Sequence, residues 1–248
     1  MQIYFINFFF IFSIASFPVI ICNVFYAIFA WLFYGLKVMK GLIDLIKQNK
    51  VYYYTILLFV IAGGIILCLV PKVDVTLWIN SHSNPLLDRL VLEFNGGGEV
   101  GFGVVSVGFI WILRDWRLAA KAACCFLSVL IIIVFMKYVL FPGTPRPILL
   151  FPEGTLRLVE GVIQLETESF PSGHTSSAFS IATFFALFQT KKKWIFIFAL
   201  LALIVGCGRI YLSQHFITDV YTGMIVSVIV TTLVYHYYPK SWERKHAK

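Results

Sequence analysis

The sequence predicts an all-α protein, a polytopic transmembrane helical bundle, and three observations carry that prediction. Of 248 residues, 60% are hydrophobic and only 13% are charged, against about 45–50% and about 25% in a soluble domain. Mean hydropathy is +0.87. Apolar runs of span length recur along the chain, separated by short connectors that hold most of the Lys and Arg. The net charge of +8 therefore reads as membrane topology, with the bilayer as partner and no nucleic acid. Cys22, Cys68, Cys124, Cys125 and Cys207 all lie in apolar runs without a Cys-x-x-Cys pair. That predicts neither disulfides nor a zinc site, and Cys124-Cys125 reads as two small core residues.

Taken in order, residues 1–36 are almost continuously apolar, with no basic residue before Lys37. A secretory leader starts positive and ends at a small-residue cleavage site, so this run reads as a retained membrane segment, tilted or bent at Pro18. Lys37, Lys40, Lys47 and Lys50 alternate with apolar residues, as in an interfacial amphipathic stretch or an ordinary solvated connector. Residues 51–70 form a span. Residues 71–98 read as a loop with one short surface helix around Val75 to Ile79. Asn95-Gly96-Gly97-Gly98 lacks the Gly-Lys-Ser/Thr ending of a phosphate loop and reads as a turn or a close-packing site. Spans follow at 99–113, 118–140, 174–188, 194–208 and 216–238, with a proline-rich loop at 141–170 and a basic tail at 239–248. Glu153, Glu160, Glu166 and Glu168 in that loop read as part of a solvated lid.

Four cations sit at 37–50, three at 114–121, three at 191–193 and four at 240–248. The positive-inside rule makes those connectors cytoplasmic. Lys72, Arg89, Lys137, Arg146, Arg157 and Arg209 fall on the other side, with nine of the 12 acids. Three segments meet on that outer face: Lys137 with Arg146-Pro147, then Pro171-Ser172-Gly173-His174, then Arg209 with His215 and Asp219. Charges at span ends need partners. The start of the helix at His174 offers free N–H groups and a positive dipole end, with Ser172 as cap and Gly173 allowing close approach. His215 and Asp219 are four apart, on one helical face, where the carboxylate can fix the imidazole's tautomer. Such a set suits a phosphoryl group, whose transition state spreads charge over its oxygens.

These blocks resemble the signature of the type-2 phosphatidic acid phosphatase and vanadium haloperoxidase superfamily: Lys-x6-Arg-Pro, Pro-Ser-Gly-His and Ser-Arg-x5-His-x3-Asp. The second block matches in full. The third has Gly208 for serine, and the first has eight residues between Lys137 and Arg146 where the pattern has six. A bulge at 141–145 is expected to absorb the difference. The resemblance covers residues 51–238. It implies a six-helix lipid phosphatase domain at 51–239, an additional N-terminal membrane segment and connector at 1–50, and a cytoplasmic tail at 240–248. It also implies metal-independent, cofactor-free hydrolysis of a lipid phosphate monoester or pyrophosphate through a phosphohistidine. His215 would be the nucleophile, Asp219 its orienting group and His174 the general acid and base. Lys137, Arg146, Ser172, Gly173 and Arg209 would hold the phosphate. The expected setting is a bacterial inner membrane with the site facing the periplasm. Undecaprenyl pyrophosphate, lipid A phosphates, phosphatidylglycerol phosphate and phosphatidate all fit, their acyl or prenyl chains entering sideways.

Other readings stand beside it. A Ser172–His174–Asp219 triad lacks a nucleophile elbow. Metal binding by His174, His215 and Asp219 is opposed by three nearby cations. A vanadate-dependent oxidase on the same motif needs no lipid access. A transporter or structural protein with a polar cavity is the rival from another class, though no internal repeat is visible.

Overall fold

The computed structural model describes residues 39–239. The expected N-terminal membrane segment at 1–36, the first two residues of the connector and the expected tail at 240–248 lie outside the described residues. Residues 39–48 are helical. Helix α1 (Lys50–Leu69) is apolar on every face, as a span must be, and buries only Tyr52 and Ile56. Tyr52 bonds the Thr183 hydroxyl at 2.7 Å, and Tyr53 bonds that of Thr232 at 2.8 Å. Residues 71–98, expected as a loop with one helix, hold two: α2 (Lys72–Ser81) and α3 (Pro85–Asn95). The start of α3 is written in the sequence. Asn84 accepts from the N–H groups of Leu86 and Leu87, and Pro85 stands at the first helical position.

Helix α4 (Val100–Leu113) follows a turn of 3₁₀ helix at Gly96–Gly98. Helix α5 (Trp116–Phe135) continues into a π-helical turn, Met136–Leu140. A π turn takes in an extra residue without ending the helix. The longer Lys137–Arg146 spacing is thus absorbed partly inside the helix, by Phe141 N–H bonding Met136 C=O at 2.8 Å. The remainder is taken up by a turn at Gly143, whose φ is +69°. Part of the adjustment therefore lies earlier than the expected bulge at 141–145.

Helices α6 (Gly173–Phe188), α7 (Phe196–Tyr211) and α8 (Ile217–Tyr237) complete the bundle. Among the described residues, four helices are long and apolar enough to cross a membrane, and α3 with α4 counts as a fifth if that bent pair is one span. At 16 residues, about 24 Å, α6 is shorter than a bilayer core. It is instead the sheathed centre, packed by α5, α7 and α8. Its small hydroxyl residues Thr175, Ser176, Ser177, Ser180 and Thr183 are all buried, and such residues let neighbouring backbones come close. Ser176 bonds the carbonyl of Ser172 at 2.7 Å and Ser180 meets Thr231 at 3.1 Å. The ends of α5 and α7 and the starts of α6 and α8 share one end of the bundle. The basic turns at 114–117 and 191–193 lie at the other.

Candidate active site

The site begins at the start of α6. Ser172 caps the helix: its Oγ accepts from Thr175 N–H at 3.4 Å and from Thr175 Oγ1–H at 2.9 Å. Its own N–H donates to the backbone carbonyl of Asp219 at 3.1 Å, tying α6 to α8. An added Cβ on Gly173 would find nothing within 4 Å, so open space lies beside the first N–H groups of the helix. The Ser172 hydroxyl bonds only its own helix turn here, which does not build the alternative serine triad. On Gly98, by contrast, an added Cβ would fall 2.8 Å from the His174 carbonyl and 2.7 Å from Val205. Of the glycine run, Gly98 packs closely against the motif, whereas an added Cβ on Gly96 would meet nothing within 4 Å.

Between α7 and α8 the chain reverses at Ser213, with φ +54°, and places His215 in full burial. Asp219 sits in the first turn of α8. Its Oδ2 accepts from Phe216 N–H at 3.0 Å and its Oδ1 from Thr218 Oγ1–H at 2.9 Å. The expected direct bond to the imidazole is replaced by a bridged one. Asp219 Oδ2 lies 3.6 Å from His215 Nδ1, beyond hydrogen-bond length. Ser169 stands between them, donating to Asp219 Oδ2 at 2.5 Å and lying 3.4 Å from Nδ1. The hydrogen-bond contact of the ring among the described residues is at Nδ1, not Nε2. Burial, above all, pushes the imidazole of His215 down to about 3, with Asp219 opposing and Arg146 and Arg209 adding to the shift. The ring of His174 lies within electrostatic reach of Arg209, His215, Arg146 and Lys137. The three segments have come together.

The cations converge through shared acceptors. Lys137 Nζ donates to the Glu168 carbonyl at 2.7 Å, and Arg146 Nη2 donates to the same oxygen at 3.3 Å. Lys137 thus joins the site despite its longer spacing. Arg146 Nε donates to Thr167 C=O at 2.8 Å and Nη1 to Gln214 C=O at 3.0 Å. Gln214 Oε1 accepts from Arg146 Nη1 and from Arg209 Nη2, both at 3.2 Å. Arg209 Nη1 is held by Asn95 Oδ1 at 2.7 Å, while its buried Nε has no partner. Gln214 and Ser169 are residues the sequence did not single out, and Asn95 stands out in it only as the head of the glycine run. Gln214 adjoins His215 in the chain, a polar residue in a turn flanked by apolar spans, and that adjacency is the signal it offers. Ser169 carries none, and the glycine run after Asn95 marks a turn without pointing to Arg209.

The loop before the motif forms the roof. Asn80 pairs both backbone groups of Arg157, at 2.8 and 2.9 Å, and Arg157 forks onto Asp88. The lid glutamates near the site contribute mainly backbone: Glu166 C=O takes Arg146 N–H at 2.7 Å. Among the described residues, no group of three or more His, Cys, Asp or Glu side chains is placed to hold a metal ion.

Comparison with known proteins places this geometry. The chain is 37% identical over 90 residues to bacitracin transport permease protein BcrC of Bacillus licheniformis, covering 36% of this chain and 43% of that protein. It is 24% identical over 160 residues to undecaprenyl-diphosphatase BcrC of Bacillus subtilis, covering 63% of this chain and 78% of that protein. The crystal structure of LpxE from Aquifex aeolicus aligns with a TM-score of 0.58 and 28% identity, over 66% of this chain and 94% of that one. The chain spans about two fifths of the length of two other curated relatives and less of two more. The PAP2 superfamily model matches residues 117–243, just over half the chain and the part that contains both histidines, Asp219 and the three converging cations, so this integral membrane protein belongs to the PAP2 superfamily.

Proposed function

We propose that this protein is a membrane phosphatase that hydrolyses a phosphate monoester or pyrophosphate on a lipid, through a phosphohistidine, at the non-cytoplasmic face. The observation that carries the reading is the clamp around His215. Three cations from α5, the following loop and α7 are drawn together on two acceptors, the Glu168 carbonyl and Gln214 Oε1. An incoming phosphate can take over those donors. Arg146 and Arg209 then neutralise the charge that develops on its oxygens, each offering a planar fork. Ser172 Oγ–H and the N–H groups at Gly173 complete the cradle at a helix start.

His215 Nε2 attacks phosphorus, forming a P–N bond as the bond to the lipid oxygen breaks. Ser169 and Asp219 hold Nδ1 and stabilise the positive charge left on the ring. His174 gives its proton to the departing lipid oxygen. It then takes one from water, which attacks phosphorus, breaks the P–N bond and frees phosphate. Burial keeps His215 neutral and ready at ordinary pH.

One relative is named a transport permease, which favours transport as the second reading. Phosphate release from lipid phosphates by purified protein separates the two. The expected result is turnover that survives chelator, is inhibited by vanadate and is lost in His215→Ala. Near-normal release by His215→Ala overturns the nucleophile, and no release by the unmodified protein overturns the hydrolase.

A further inference from the structure

Arg209 is buried, and its guanidinium only donates, through N–H groups in a fixed planar fork. Nη1 donates to Asn95 Oδ1 at 2.7 Å. Nη2 donates to Gln214 Oε1 at 3.2 Å, an oxygen that Arg146 also uses. Nε is buried and has no partner among the described residues. A buried donor left unpaired costs free energy, so the working site is expected to bring it an acceptor. The Nε and Nη2 hydrogens lie on one side of the guanidinium and match two oxygens of a single phosphate. A phosphate that displaces Gln214 Oε1 from Nη2 therefore meets Nε as well. Among the described residues, Asn95 is then the one side chain still holding Arg209.

Asn95 is built to stay in place. It is the last residue of α3 and precedes the family match at 117–243. Helix α3 is fastened to α7 and to the roof, since Asp88 accepts from Tyr211 Oη–H at 2.6 Å and from the Arg157 fork. The turn after Asn95 presses on the motif at Gly98, where an added Cβ would fall 2.8 Å from the His174 carbonyl. The carbonyl side of the Asn95 amide faces Arg209, because the guanidinium has nothing to accept with. We propose that Asn95 is a positioning residue for phosphate: by fixing Nη1 it turns Arg209 so that Nε and Nη2 face the substrate's phosphate as a pair. The inference rests on the lipid-phosphatase reading and adds a residue from outside the three signature blocks. Asn95 acts through Arg209, so its effect disappears where there is no fork to turn.

A double-mutant cycle on the full chain in detergent micelles tests this, read in phosphate release from phosphatidate and in inhibition by orthovanadate. Asn95→Leu keeps the volume and removes the acceptor. It is expected to lower kcat/KM about 10–100-fold and to weaken vanadate inhibition alongside. Combined with Arg209→Lys, whose ammonium has no planar pair, the same change is expected to add less than about threefold. An equal loss in both backgrounds overturns the proposal, because Asn95 then serves the fold and not the arginine. So does an Asn95→Leu protein within about twofold of the original. Asn95→Asp decides the matter if Asn95→Leu does not fold. It keeps an oxygen on Nη1 but sets a negative charge near the phosphate, so KM is expected to rise while kcat holds within about threefold. A fall in kcat of about tenfold or more overturns the positioning role. If the unmodified protein releases no phosphate, the hydrolase reading falls, and the same cycle read in orthovanadate affinity still decides on Asn95. Phosphate release with equal losses in both backgrounds keeps the hydrolase and removes Asn95 from its site.

Discussion

Gln214→Leu isolates the clamp from the groups that react. Gln214 is buried, and its Oε1 is the common acceptor for Arg146 Nη1 and Arg209 Nη2 at 3.2 Å each. Its Nε2 donates to Ile163 C=O at 3.1 Å and to Gln164 Oε1 at 2.7 Å. Leucine keeps the volume and the backbone carbonyl that Arg146 also uses, but removes the shared oxygen and both donations. The two arginine bonds are long, so the lower end of the charge-assisted range, about 1.5 kcal/mol, applies to each, and the variant loses at least about 3 kcal/mol of stability. The rate effect is separate. Two guanidinium groups no longer held in register around one phosphate are expected to cut kcat/KM by about 10–100-fold. Gln214→Glu keeps the acceptor but competes with phosphate for both forks, so stability is largely retained while KM rises. Steady-state phosphate release and thermal unfolding of the same preparations give both readouts. A Gln214→Leu protein with lowered thermal midpoint but kcat/KM within about twofold of the original would refute the clamp, leaving Gln214 a structural residue.

Two more perturbations test the site. Gly98→Ala sets a methyl 2.7–2.9 Å from Val205 and the backbone and Cβ of His174. It is expected to cost about 1–3 kcal/mol from overpacking and to slow turnover by displacing His174, and unchanged kcat would show that the contact relaxes freely. The pH dependence follows from burial of His215, which lowers its imidazole to about 3. The nucleophile stays neutral as pH falls, so the burst of phosphoenzyme formation should show no loss between about pH 7 and 5, and a loss with a midpoint near 6.5 as pH drops would contradict the assignment. For stability the sign is set by the unfolded chain, which binds the proton first. The contribution is therefore constant above about 6.5 and is lost as pH falls from there toward about 3, readable in thermal midpoints.

The sequence by itself determined the class and the chemistry. Long apolar runs must form helices in lipid because the backbone has no other partners there. Cations and histidines at span ends are too costly to sit idle. That reasoning located α1, α5, α7 and α8 to within a few residues, and named His174, His215, Asp219, Arg146 and Arg209 before any were seen together. It missed α3, although the Asn84-Pro85 start was legible, because a polar connector between spans was read as loop.

Tertiary structure alone decided how the groups are joined. A side chain's partner across 31 to 114 positions of sequence, as with Lys137 and Glu168 or Asn95 and Arg209, depends on helix packing that no local pattern encodes. The same holds for Ser169 standing between His215 and Asp219, and for Gln214 bridging two arginines. It holds too for the π turn that brings Lys137 back into reach, since an extra residue in sequence says nothing of where the backbone takes it in. Local periodicity specifies which face of a helix is polar, but only packing against three neighbours specifies which atom on that face another atom meets.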